Sequence, residues 1–114
     1  MKSQNSIILT GRLTADAKEL ANNAGVSFTI AHNMGKDNDP LFADFTFFKK
    51  NGGRTVSIPA DLLKKGQAVT VSAWMKPNTY VNAEGKTIRT IQYIVKKVEA
   101  ISPETADEQD GNEE

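Results

Sequence analysis

Two short stretches of this 114-residue chain bring flat aromatic rings and cations together. The first runs from Trp74 to Tyr80 (WMKPNTY). As a strand it alternates its side chains between two faces, so Trp74, Lys76, Asn78 and Tyr80 share one of them. The second is FADFTFFKK, residues 42–50, which holds four of the five phenylalanines. Its parity sets Phe42, Thr46 and Phe48 on one face and Phe45, Phe47 and Lys49 on the other. A core needs rings on one face only, which leaves a second aromatic face to explain. Rings interleaved with positive charge suit single-stranded nucleic acid, with bases stacking on π faces while lysine and arginine follow the phosphates. Each stacked base is worth about 1–3 kcal/mol whatever its sequence. The same pattern also describes a contact between subunits, or simple exposure, and a bulge in the second stretch would exchange its faces. No helix is long and basic enough to enter a duplex groove.

The elements around these stretches are strands. Ser6–Leu13 puts Ile7, Leu9 and Leu13 on one face, and Val26–His32 puts Val26, Phe28 and Ile30 inward. Turn clusters stand at NNAG (22–25), MGKDNDP (34–40) and NGG (51–53). Residues 57–66 (SIPADLLKKG) predict a two-turn helix, with Pro59 in its first turn and Gly66 as its left-handed cap. Gln67–Lys76 is a strand with Val69, Val71, Ala73 and Met75 inward. Residues 78–86 extend it into a hairpin turning at NAEG (82–85), and Thr87–Ile101 is a long closing strand of less regular alternation. Five strands with one short helix between the third and fourth, and an extended hairpin of the fourth and fifth, predict an all-β OB-fold, a five-stranded Greek-key barrel.

Composition bounds the rest. Cysteine is absent and histidine occurs once, which argues against disulfides, thiolate chemistry and a multi-histidine metal site. His32 has no catalytic partner in its pattern, and no serine sits in a nucleophile elbow. We therefore expect no enzyme, no cofactor and no metal. No apolar run reaches membrane-span length, and MKSQNS leads into alternation rather than a signal core, so a soluble intracellular protein is expected. The net charge is zero, but six of the 14 acids follow Pro103, where there is no base. Residues 1–102 keep 14 bases against 8 acids, a formal +6, the balance of a body with a polyanionic partner. Residues 103–114 are expected to form an acidic disordered tail beside a single domain over 1–102.

Over residues 5–101 the chain resembles the bacterial and phage single-stranded DNA-binding proteins. The resemblance is carried by NSIILTGRL (5–13), GVSFTIAHN (25–33), ADF (43–45) and LLKKGQAVTVSAWMKPNTY (62–80), with Gly85 fitting the hairpin. It implies a homotetramer of OB domains, or a dimer, that binds single-stranded DNA in replication, recombination or repair in the cytoplasm, associated with the nucleoid. It implies stacking at Phe45 and Tyr80, a basic contact at Lys76 beside Trp74, and a polar or basic role for Arg12. The family's third aromatic falls at Phe47 or Phe48, because NGGRTVS departs from its usual pattern. With Lys49, Lys86 and Arg89 as further phosphate partners, the expected interface is Arg12, Phe45, Phe47, Lys49, Trp74, Lys76, Tyr80, Lys86 and Arg89. The family's docking tip, an acidic end closing on Ile-Pro-Phe, has no counterpart in GNEE. Replication and repair proteins thus stay open as partners without that anchor. An OB domain that binds a partner protein, or RNA, is the alternative reading.

Overall fold

The alternation of VSFTIAH and AVTVSAW becomes sheet because every second residue is apolar and finds the same interior. The computed structural model describes residues 4–51 and 53–101. The expected tail, 103–114, lies outside the described residues. Eight strands follow in order: β1 (Ile7–Leu13), β2 (Lys18–Glu19), β3 (Gly25–His32), β4 (Leu41–Phe48), β5 (Lys50–Asn51), β6 (Arg54–Thr55), β7 (Ala68–Val81) and β8 (Thr87–Ala100). The main sheet runs β1-β7-β8-β4-β3-β2, and β1 pairs again with β3 through Arg12↔Ala31 and Leu13↔Ile30. That last pairing closes β1, β7, β8, β4 and β3 into a five-stranded barrel, the expected OB-fold. Among the main strands only β4 and β8 run parallel, over Phe45↔Tyr93 and Thr46↔Ile94.

The closure point explains a glycine. Strand β1 changes partner from β7 to β3 around Gly11, whose missing Cβ would lie 2.3 Å from the Ala31 carbonyl oxygen. Any side chain there wedges β1 off β3. Gly11→Ala is expected to cost about 1–3 kcal/mol, the range for overpacking. Urea denaturation checks this, and an unchanged midpoint would mean the seam has slack.

The interior is filled from every strand of the ring: Leu13, Phe28, Ile30, Phe45, Phe47, Val69, Val71, Ala73 and Val95 form one cluster with Leu63. Leu63 follows the only trace of the predicted helix, a 3₁₀ turn over Ala60–Leu62. Pro59 (ψ 82°) and Leu63 (φ −107°, ψ 45°) leave helical geometry on either side. A two-turn helix makes few bonds for its nucleation cost, and here the barrel claims the donors instead. Gly66 N–H donates to the Leu13 carbonyl (2.8 Å) and Lys65 N–H to the Asp16 carboxylate (2.8 Å). Gly66 does adopt the left-handed conformation expected of it, with φ +84°.

The irregular alternation of the closing strand has a local cause. Ser72 pairs with Lys97 but Ala73 with Val95, so Lys96 is an extra residue, a bulge, and the neighbours Ile94 and Val95 are both buried. Beyond Met75↔Tyr93 the β7–β8 pair continues to Val81↔Thr87 as the expected long hairpin.

Candidate nucleic-acid interface

Strand β7 follows its pattern as far as Ala73, but Met75, expected inward, is 38 % exposed where the β7–β8 ribbon extends past the core. Val69, Val71 and Ala73 are wholly buried, so Trp74, Lys76, Asn78 and Tyr80 fall on the outer face. Cross-strand partners on β8 are Ile94, Gln92, Thr90 and Ile88 respectively. Tyr80 is 50 % exposed and Lys76 is exposed, while Trp74 is half-buried beside buried Ile94. One row crosses the whole outer face through register: Trp74, Ile94, Thr46, Ser27 and Lys18. At about 4.8 Å between strands, this is a surface roughly 20 Å wide. Gln92 donates from Nε2 to the Thr46 hydroxyl at 3.4 Å, tying β8 to β4 on that face.

Strand β4 keeps the expected parity and inverts the expected sides. Phe45 and Phe47 are each 2 % exposed and belong to the core. Phe45 lies between Phe28 (ring centroids 5.8 Å apart) and Tyr93 (5.9 Å). Neither ring faces solvent, so the expectation that these two form the outer aromatic face is corrected. The outer face of β4 carries Phe42, Asp44, Thr46 and Phe48, with Phe42 61 % exposed and Phe48 half-buried. Asp44 is the signal in the sequence that decides this. Its carboxylate shares parity with Phe42 and Phe48, and a lone charge is not tolerated in a core. In the structure it is exposed and accepts a hydrogen bond from the Thr29 hydroxyl.

The remaining expected residues divide by position. Arg12 is on the outer face of β1 at the barrel closure, paired with Ala68 at the far end of β7 from Tyr80. Its guanidinium donates to the Gly66 carbonyl at 3.1 Å. Lys49 lies just past β4, where its ammonium donates to Asn23. It shares a groove with Asn22, Phe48, Lys50 and Thr55. That groove sits against an unusual turn, since Asn22 (φ 60°) and Asn23 (φ 56°) are consecutive left-handed residues. Lys86 is exposed at the hairpin turn. Arg89 pairs with Thr79 and so lies on the hairpin face opposite Tyr80. The geometry therefore unites Trp74, Lys76 and Tyr80, adds Phe48 near Lys49, and leaves Arg12 and Arg89 at separate margins.

The model of the single-strand binding protein family matches residues 4–101. The chain belongs to that family. Its fold is likewise that of solved single-stranded DNA-binding proteins. The mitochondrial single-stranded DNA-binding protein Rim1 of S. cerevisiae superposes with a TM-score of 0.61 at 15 % identity, covering 89 % of this chain and 98 % of that one. A Plasmodium falciparum SSB in complex with ssDNA superposes with a TM-score of 0.63 at 18 % identity, covering 90 % and 98 %. None of the curated proteins matches this family member in sequence. At such identities the likeness is one of fold, and the residues that carry binding must be argued from this chain's own surface.

Proposed function

We propose that the protein coats single-stranded DNA without regard to sequence, protecting strands exposed in replication, recombination or repair. The observation that carries this is the outer face of β7, where Trp74, Lys76 and Tyr80 run in line across from the acid-free stretch Ile88–Ile94. Family membership supplies the class of ligand. Bases stack on Tyr80, on the open part of Trp74 and on Phe48, and phosphates meet Lys76, Lys49 and the marginal Arg12. Rings accept any base alike because every base has a π face, which fits sequence-independent binding. The role is binding rather than catalysis, exercised in the cytoplasm at the nucleoid.

We also infer a homotetramer, with a dimer as the smaller unit. Support comes from β1, which has β7 on one side over Ile7–Arg12 and pairs with β3 on the other at Arg12 and Leu13. Its outward Ile8 is 69 % exposed beside that open edge. An edge strand of this kind is a template for pairing with another chain.

Trp74, the single tryptophan, provides the test. Oligo-dT is expected to quench its fluorescence at low salt, with log K falling by about 0.7 per phosphate contact for each log unit of salt. Lys76→Ala should reduce that slope by about one contact. Duplex DNA should leave the signal unchanged. Equal quenching by oligo-U would redirect the reading to RNA, and a flat response in both fluorescence and anisotropy would refute it.

A further inference from the structure

The long hairpin of β7 and β8 leaves the barrel at one rung, Met75↔Tyr93. On one side the β1–β7 ladder stops at Ile7↔Ala73, short of Met75. On the other, the parallel pairing of β4 with β8 stops at Phe45↔Tyr93. From Lys76↔Gln92 to Val81↔Thr87 the ribbon pairs with no third strand among the described residues. A lone two-stranded hairpin is only marginally stable in water, and Tyr80 rides five residues past the rung where the barrel ends. A side chain holds that rung. The register that sets Ile7 opposite Ala73 brings residue 5 opposite Met75. There the Asn5 amide stands in for a strand: Nδ2 donates to the Met75 carbonyl at 2.7 Å, and Oδ1 accepts from Met75 N–H at 2.8 Å. A primary amide offers the same donor and acceptor as a peptide unit, so the contact copies one more rung of β1. The next residue facing that edge is Pro77, which has no N–H to offer.

We infer that Asn5 is a positioning residue for the bound strand: by closing both backbone groups of Met75 it sets the angle at which the ribbon leaves the barrel, and so where Tyr80 stands relative to Trp74. The inference rests on the single-stranded DNA reading and gives Asn5 no contact with the DNA. The clamp is placed for this role. Trp74, paired with buried Ile94, lies on the barrel side of Met75, and Tyr80 lies beyond it. Asn5 therefore joins the ring fixed on the barrel to the ring carried by the ribbon. The bulge opposite Ser72 and Ala73 bends β8 just inside the same rung, so the root of the ribbon is where its direction is decided. With the clamp closed, both rings await the strand in one arrangement. Without it the ribbon samples several angles, and affinity falls by the fraction that remains competent.

The test is a double-mutant cycle on the full chain, read by anisotropy with labelled oligo-dT: the parent, Asn5→Ala, Tyr80→Ala and the two together. Amide hydrogen exchange of each free protein accompanies it. Asn5→Ala is expected to bind about fivefold more weakly than the parent, the size of one net hydrogen bond. In the Tyr80→Ala background the same change should cost less than about twofold, because the ribbon then has no ring to place. Met75 N–H should lose its protection in Asn5→Ala while the amides of Val69 and Val71 keep theirs. A purely structural role, or a direct contact of Asn5 with DNA, gives equal losses in both backgrounds and overturns the inference. So does parental affinity in Asn5→Ala, or a Met75 amide that exchanges no faster without the asparagine. In each of these cases the function stands. A Tyr80→Ala variant that binds as the parent does takes the ribbon out of the path and overturns it as well. A parent that does not bind oligo-dT removes the function and this inference together.

Discussion

Replacing Trp74 and Tyr80 together by alanine is expected to weaken oligo-dT binding by about 100-fold at moderate salt. Each ring that stacks a base contributes about 1–3 kcal/mol, and about 1.4 kcal/mol is a factor of ten. The two rings lie six residues apart on one face of β7, with Lys76 and Asn78 between them. At about 3.4 Å per residue they are roughly 20 Å apart, so they engage different nucleotides and their losses should nearly add. Tyr80 is the cleaner single variant, because its ring is half exposed and the hairpin holds by its own ladder. Trp74 neighbours buried Ile94, so its variant needs a thermal melt beside the binding curve to separate lost contact from lost packing. Parent-like binding by the folded double variant would show that DNA passes elsewhere on the barrel.

Phe45→Ala should produce the largest loss of stability, about 3–5 kcal/mol, as for other buried aromatic truncations. The ring sits between Phe28 and Tyr93 where β3, β4 and β8 meet, so its removal opens a cavity that three strands border. A small domain has only about 5–15 kcal/mol in total, so the variant should lose most of its urea resistance. Phe42→Ala, three residues earlier and exposed, should shift the same midpoint little. A Phe45→Ala loss below about 1 kcal/mol would mean that the ring is not part of the core. The contrast between these two phenylalanines is the experimental form of the correction on β4.

Much of the architecture was legible as pattern. The alternation of SIILTGRL, VSFTIAH and QAVTVSAWMK marks which residues of β1, β3 and β7 face inward, since one-sided burial and a period of two leave no other solution. The hairpin turn at NAEG was equally plain, and Asn82 closes it by accepting from Glu84 and Lys86 N–H at 2.9 and 3.0 Å. The face bearing Trp74, Lys76 and Tyr80 followed from β7 alone, because its opposite face was unambiguously apolar.

What failed did so where local signals tied or where distant segments intervened. In FADFTFFKK both faces carry rings, so parity was readable but not its sense, unless Asp44 was given its due weight. The helix expected over 57–66 had caps and propensity, but β1 and the loop after it take its backbone donors, a competition between segments some fifty residues apart. The bulge at Lys96 depends on how β8 must bend to stay on β7.

Alternation along the chain already marked the strands of an all-β protein, the inward residues on three of them and one aromatic and basic face, because periodicity is a local property. The single-strand binding family was marked by the resemblance of its motifs instead. The folded chain alone places Phe45 and Phe47 in the core and Phe42 and Phe48 at the surface, and turns Arg89 away from Tyr80. Each of these depends on which strand lies beside which, and that is set by closure of the barrel through Gly11 rather than by any segment's own pattern.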